Sequence, residues 1–229
     1  MPAPDLTVTA AAECDGLCVE HRPGVGVVHA LREVSATFAT GRLTVVAGPS
    51  GSGKSTLLRV LAGLQLATAG RVAVGGVDLS RLRHRGRRQL RRRRIGVVLQ
   101  NPADNLIEYL SAIDQVGLAA RLRGTDPHEA EHLLDAVGLA SRRDSRPAEL
   151  SGGEQQRVAF AAAVAGAPAV LVADEPTAQL DARSADDLVA RLQRLVDDGC
   201  TAIVGSHDDA VISAAHDVVW LHDGQVVAR

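Results

Sequence analysis

An α/β fold with a helical insertion is what this chain of 229 residues predicts, on three observations. A buried-strand run, Leu43 to Ala47, leads through a glycine-rich turn into an apolar helical run from Ser55 to Gly63. Two more strand runs, Ala169 to Ala173 and Thr201 to Gly205, are separated by an amphipathic helix over Arg183 to Val196. Between these two blocks, from about residue 103 to 165, the pattern turns to helices.

The remaining elements follow in order. Short β-like segments at Gly16 to Glu20 and Glu33 to Phe38 fill the start, with Gly24 and Gly26 marking a turn between them. A strand pair is expected at Gly70 to Gly76, and a buried strand at Ile95 to Leu99, ending on Gln100. Ser111 to Arg123 and His128 to Val137 carry apolar residues at helical spacing, and Asp126-Pro127 supplies a start signal for the second. Asp217 to Leu221 and Gln225 to Val227 close the chain as a hairpin around Asp223-Gly224.

Composition bounds the compartment. With 46% hydrophobic and 2% aromatic residues, the core rests on Ala, Val and Leu. The longest weakly polar stretch, Val158 to Ala173, is broken by Gly166 and Pro168 and is too short for a bilayer span. Met1 to Asp5 has neither a basic region nor an apolar signal core, so a cytosolic chain is expected. Cys14, Cys18 and Cys200 read as free thiols. The net charge of −2 hides a run from Arg81 to Arg94 with nine arginines and no acid. That run is either a surface for anionic lipid or nucleic acid, or a solvated loop and helix face. It has no interleaved aromatics, which argues against a single-stranded nucleic-acid platform.

The chemistry concentrates around one lysine. Of 25 basic side chains 24 are arginine, and the single lysine, Lys54, sits in Gly48-Pro49-Ser50-Gly51-Ser52-Gly53-Lys54-Ser55. Such a turn between strand and helix converges backbone N–H groups on phosphates, brings a compact ammonium to their outer oxygens and offers the Ser55 hydroxyl to Mg²⁺. A guanine-reading Asn-Lys-x-Asp element and a protein-kinase strand lysine are both excluded, since no second lysine exists. Further on, Val170 to Ala173 is followed by Asp174 and Glu175. A buried strand there aims Asp174 toward the metal beside Ser55 and places Glu175 to polarise a water in line with the terminal phosphate.

Leu150-Ser151-Gly152-Gly153-Glu154-Gln155-Gln156-Arg157 supplies a second anion-binding helix start, or an ordinary N-cap with a capping-box acid. One nucleotide does not need two phosphate cradles in one chain. A head-to-tail dimer does.

With these segments in place the sequence resembles the nucleotide-binding subunit of an ATP-binding-cassette transporter over nearly its whole length. Gly48 to Thr56 matches that family's Walker A loop, Gln100 its Q-loop, Leu150 to Gln155 its signature and Val170 to Glu175 its Walker B strand. Ala178-Gln179-Leu180-Asp181 matches its D-loop, and His207 its switch histidine. The resemblance implies one ATP-binding domain over 1–229: a P-loop NTPase (RecA-like) core, an N-terminal antiparallel β subdomain and an inserted α-helical subdomain at about 103–165. It implies ATP and Mg²⁺ as cofactors. By family role, Gly48, Pro49, Ser50, Gly51, Ser52, Gly53, Lys54, Ser55 and Thr56 bind phosphate, and Ser55, Gln100 and Asp174 surround the metal. Glu175 is the catalytic base and His207 senses the terminal phosphate. Ser151, Gly152, Gly153 and Asp181 contribute to nucleotide binding, with Ser151 and Gly153 acting across the dimer.

Three departures stand out. Cys18 to Pro23, where the family carries an adenine-stacking aromatic, has none, so His21 or Arg22 is left for stacking and weak base selectivity is expected. Gln179 stands where a small residue is usual, and Phe160 to Ala163 lacks an arginine often found there. Glu108 to Val116, His29 to Val34 and the ending soon after Gly224 look like the lipoprotein-releasing and macrolide-exporter branch. The resemblance then implies a separate transmembrane permease docking near Gln100 to Ser111, and a cassette homodimer or a pairing with a second cassette at the cytoplasmic face of the cell membrane. Nucleic acid is not an expected partner. A cell-division-type cassette that transmits force through a permease-like protein is the alternative.

Overall fold

The computed structural model describes residues 10–21 and 26–228. The expectations for Met1 to Asp5, for Gly24 at the first turn and for Arg22 as a stacking residue lie outside the described residues. Two sheets carry the fold. The first joins β1 (Ala10–His21), β2 (Val28–Ala39), β4 (Ala69–Val74) and β5 (Val77–Asp78) in the order β2-β1-β4-β5, antiparallel throughout. The second joins β3 (Leu43–Ala47), β6 (Ile95–Val98), β7 (Val170–Asp174), β8 (Thr201–Ser206), β9 (Asp217–His222) and β10 (Gln225–Val227) in the order β10-β9-β3-β8-β7-β6. All its neighbours are parallel except β9 and β10, the terminal hairpin.

Alternation explains why the second sheet is buried on both faces. Leu43, Val45, Ala47, Leu171, Ala173, Ala202 and Val204 point into one apolar cluster, while Val46, Val170, Val172 and Ile203 point into the other. On the second side lies α1 (Lys54–Leu61), which buries Leu57, Leu58, Val60 and Leu61. Full burial of each such side chain is worth about 1.5–3 kcal/mol. The first side is covered by α5 (Gly152–Val164) and α6 (Ala182–Asp197).

The helical region consists of α3 (Ala112–Arg123) and α4 (Glu129–Ala136) packed with α5. Ser111 caps α3 by accepting from Asp114 N–H at 3.3 Å, and Gly124 at φ 86° ends it. Asp126 acts as expected near the start of α4, accepting from His128 N–H at 2.9 Å. The short α7 (Asp209–Ser213) precedes β9.

The arginine run forms a helix, α2 (His84–Arg94), in which only Leu90 is buried. Its guanidinium groups serve as caps for carbonyls. Arg91 Nη1 donates to Gly63 O at 2.6 Å, beyond the end of α1, and Arg87 Nη1 donates to Leu82 O at 2.6 Å. Four arginines in the last turn also oppose the negative end of the helix dipole. Arg123, at the end of α3, donates to Ala162 O and Ile95 O at 3.2 Å and to Ala165 O, tying the end of α5 to β6.

Gly96 fixes the distance between β6 and α5. A Cβ there would stand 2.3 Å from the Ala163 carbonyl oxygen and 3.1 Å from Leu171 Cδ1. We predict that Gly96→Ala destabilises the protein by about 1–3 kcal/mol, read as a lower denaturation midpoint. An unchanged midpoint would show that the helix shifts freely on this strand.

Candidate active site

Parallel pairing puts the site together. Ala47 pairs with Ser206, Asp174 with Gly205 and Val98 with Ala173, so β3, β8, β7 and β6 end along one edge of the sheet. Gly48, Glu175 and His207 directly follow three of these ends, and Gln100 lies two residues beyond the end of β6. Ligands in open α/β sheets bind outside such carboxyl ends.

The loop after β3 is shaped by two glycines. At Gly48, φ is 152° and a Cβ would lie 2.1 Å from Leu221 O. At Gly53, φ is 105° and a Cβ would lie 2.6 Å from Ala30 O. Ser52 N–H donates to Pro49 O at 3.2 Å, and Gly224 N–H at the terminal hairpin donates to Ser52 O at 3.0 Å. Lys54 Nζ donates to Gly48 O at 2.8 Å and to Pro49 O at 3.1 Å, holding the ammonium inside the turn.

Glu175 faces that ammonium: Oε1 lies 3.7 Å from Lys54 Nζ and 2.8 Å from His207 Nδ1. Its side chain and that of Lys54 are 8% and 7% exposed, while the His207 ring is 71% exposed. A left-handed φ of 46° turns Glu175 out of β7, and its N–H donates to Gly205 O at 2.9 Å. Such a conformation costs a non-glycine residue on the order of 1–3 kcal/mol and is concentrated at functional sites. Asn105 sets the loop after β6. Its Oδ1 accepts from Leu99 N–H at 2.7 Å, and its Nδ2 donates to Leu99 O and Asn101 O, bracketing Gln100.

The resulting cleft, of about 400 Å³, is lined by residues from all four of these strand ends and by Val28, His29 and Ala30 of β2. Pro49, Ser50, Gly51, Gly53, Lys54, Ser55, Thr56, Gln100, Glu175 and His207 all reach it. Gly48, Ser52 and Asp174 form the floor behind it: Ser52 and Asp174 are buried, and their Oγ and Oδ1 atoms have no hydrogen-bond partner in the structure. His21 pairs with Val28 across the β1–β2 ladder but does not line the cleft, whereas His29 does.

Ser151, Gly152, Gly153 and Asp181 are not brought to this cleft. Ser151 caps α5 in a reciprocal box, accepting from Glu154 N–H at 3.3 Å while its own N–H donates to Glu154 Oε2 at 2.8 Å. The backbone and side-chain hydrogen bonds from Ser151 hold the Glu154 carboxyl below its usual range. Asp181 caps α6 by accepting from Ser184 N–H at 3.0 Å. Gln179 lies over the start of α5, where a Cβ on Gly152 would meet its Oε1 at 2.6 Å.

Sequence reasoning missed Gly205 and Asn105. A Cβ at Gly205 would stand 2.6 Å from Leu58 Cδ1 and 3.2 Å from Asp174 Oδ1, so only glycine leaves space beside the carboxylate. Its single signal was a glycine inside a strand run.

Asp174 fits a divalent cation. Burial pushes its carboxyl above the ordinary range, opposed by the hydrogen bond from Ser55 and by the Arg59 and Lys54 charges, and it keeps a buried oxygen unpaired. A hard cation takes such oxygen donors together with a serine hydroxyl.

A phosphate-shaped turn on the carboxyl edge of a parallel sheet, with a buried carboxylate beside it, is the architecture of a P-loop NTPase. Known proteins narrow this further. The ABC transporter family model matches residues 31–178. The lipoprotein-releasing system ATP-binding protein LolD of Ruegeria sp. (strain TM1040) is 40% identical over 209 residues, covering 89% of this chain and 91% of that protein. The macrolide export ATP-binding/permease protein MacB of Psychrobacter arcticus is 36% identical over 237 residues, covering 100% of this chain and 35% of that protein. A dimeric post-hydrolysis structure of the ATP-binding cassette MJ0796 bound to ADP and Pi superposes with a TM-score of 0.90 at 30% identity, covering 95% of this chain and 97% of that one. The chain belongs to the ABC transporter family, as an ATP-binding cassette of the LolD and MacB type. It is an ATPase that uses ATP with Mg²⁺.

For an acid whose folded-state value is raised, the unfolded chain ionises first, so stability falls as pH climbs from the ordinary carboxylate range to the folded value. At neutral pH the buried Asp174 carboxyl therefore reduces the stability of the nucleotide-free protein. We predict that Asp174→Asn raises its thermal midpoint by roughly 1–4 °C while abolishing the further rise that ATP and Mg²⁺ give the parent protein. A lower midpoint without nucleotide would contradict this.

Proposed function

We propose that this cassette drives a separate membrane permease, through a head-to-tail dimer in which each copy completes the other's nucleotide site. The observation that carries this reading is that the cleft around Lys54 lacks the Ser151–Gly153 cradle, which caps a helix elsewhere on the same chain. A second copy can bring that cradle to the terminal phosphate, and the dimer described for MJ0796 is consistent with such an arrangement.

In this reading the loop N–H groups and Lys54 hold the phosphates, with Lys54 exchanging the Gly48 and Pro49 carbonyls for phosphate oxygens. Ser55, Asp174 and Gln100 hold Mg²⁺, which when bound offsets the charge on the phosphate oxygens. Glu175 accepts the proton of the attacking water. His207 orients the Glu175 carboxylate through the 2.8 Å contact and reports the terminal phosphate. Asp181 lies on the opposing rim of the dimer. ATP favours the closed pair by its differential affinity for that state, and hydrolysis removes the bridge.

No helix among the described residues is long and apolar enough to cross a membrane. The permease is proposed to dock near Gln100 to Ser111, where Ile107 and Tyr109 are 36% and 74% exposed. The single-domain assignment, with a helical subdomain at about 103–165, and peripheral attachment at the cytoplasmic face belong to the same proposal. So does export or release of cargo, supported by the lipoprotein-releasing and macrolide-export systems to which the LolD and MacB relatives belong.

Glu175→Gln is expected to lower ATP turnover by about 10²- to 10⁴-fold while ATP-bound dimers persist in size-exclusion chromatography. A variant that hydrolyses at near the parent rate would remove Glu175 from the role of base.

A further inference from the structure

Away from the nucleotide cleft, α2 and α3 enclose a second cleft of about 720 Å³. Six guanidinium groups, from Arg85, Arg88, Arg92, Arg93, Arg121 and Arg123, line it, and no acid does. Two are fixed by the fold: Arg92 Nε donates to Leu122 O at 2.9 Å, and Arg123 holds the carbonyls at the end of α5. The side chains of Arg85, Arg88, Arg93 and Arg121 make no hydrogen bond or ion pair with a described residue, and all four residues are exposed. Holding so many like charges together is unfavourable unless an anion shares the cleft.

The residue types narrow the anion. Guanidinium groups match phosphate oxygens in pairs. The lining has no aromatic side chain on which a base would stack, which disfavours nucleic acid. The wall includes Leu122, 42% exposed, and an adjoining groove that shares Arg88, Arg92 and Leu122 adds Leu64, 46% exposed. Cationic groups beside apolar side chains suit an interface of phosphates over hydrocarbon.

We propose that this arginine cleft binds the headgroup phosphates of anionic lipids and seats the α2–α3 face of the cassette on the membrane surface. The inference deepens the reading of a membrane-facing cassette and rests on it, yet it needs no permease for its test.

The test is flotation of the purified full chain with vesicles of phosphatidylcholine alone or with added phosphatidylglycerol. Binding is expected only to the anionic vesicles and is expected to weaken steeply between 0.05 and 0.5 M salt. Each basic residue at an anionic surface contributes roughly a factor of five. Replacing Arg88, Arg93 and Arg121 by Gln should therefore reduce partitioning by about 100-fold, with ATP hydrolysis unchanged. The same charge removed from α6, by Arg183→Gln, Arg191→Gln and Arg194→Gln, should leave partitioning nearly intact. Equal binding to neutral vesicles, or equal loss in the two triple variants, would overturn the proposal. So would tight binding of inorganic phosphate in solution, which marks a small-anion site, or stronger retention on RNA than on the anionic vesicles. Failure to find a permease in pull-downs, with lipid binding intact, would instead count against the docking reading alone.

Discussion

The in-register ending of four parallel strands is the constraint on which the rest of this structure depends. Because Ala47, Val98, Asp174 and Ser206 lie on one rim, four segments far apart in sequence deliver a lysine, an amide, two carboxylates and a histidine within a few residues of one another. Hydrogen-bonded ladders fix that rim in register. The apolar clusters on both faces hold the ladders in place, and β8 between β3 and β7 sets the spacing between the phosphate turn and the carboxylates.

That rim stores electrostatic tension. Lys54, Asp174 and Glu175 are all buried, and the fold satisfies them only in part: the ammonium leans on two carbonyls, while Asp174 keeps one oxygen unpaired. Breaking such a buried arrangement is unfavourable, and so is maintaining it without its proper partners. A triphosphate with a divalent cation supplies what is missing on both sides, charge for Lys54 and a positive centre for Asp174. The left-handed Glu175 belongs to the same pattern, with local strain held in place by its bond to Gly205.

Much of this was legible in the sequence where the chemistry is local. The turn from Gly48 to Ser55, the strand ending in Asp174 and Glu175, and the capped helix starting at Ser151 each announce themselves within ten residues. Helix α3, Ala112–Arg123, falls where apolar residues recur at helical spacing from Ser111 to Arg123. What escaped depends on contacts between distant segments. Gly205 and Gly96 matter because of a leucine and a carbonyl far along the chain. Arg123 reads as one more surface arginine until the end of α5 is seen to need donors. The arginine-rich stretch at 84–94 has almost no apolar periodicity, yet it holds a helix because its guanidinium groups cap carbonyls of neighbouring segments. His21 attracted attention as a stacking candidate by position, but the β1–β2 register places His29 at the cleft.

The central claim is that a complete nucleotide site draws on two copies of this chain. Mixing Lys54→Ala protein with Ser151→Ala protein tests it most directly, since each mixed dimer then holds one site with both residues intact. The account predicts that two preparations inactive alone regain ATP turnover when combined. Undiminished turnover by Ser151→Ala protein as a monomer, or no recovery in mixtures that demonstrably dimerise, would contradict it.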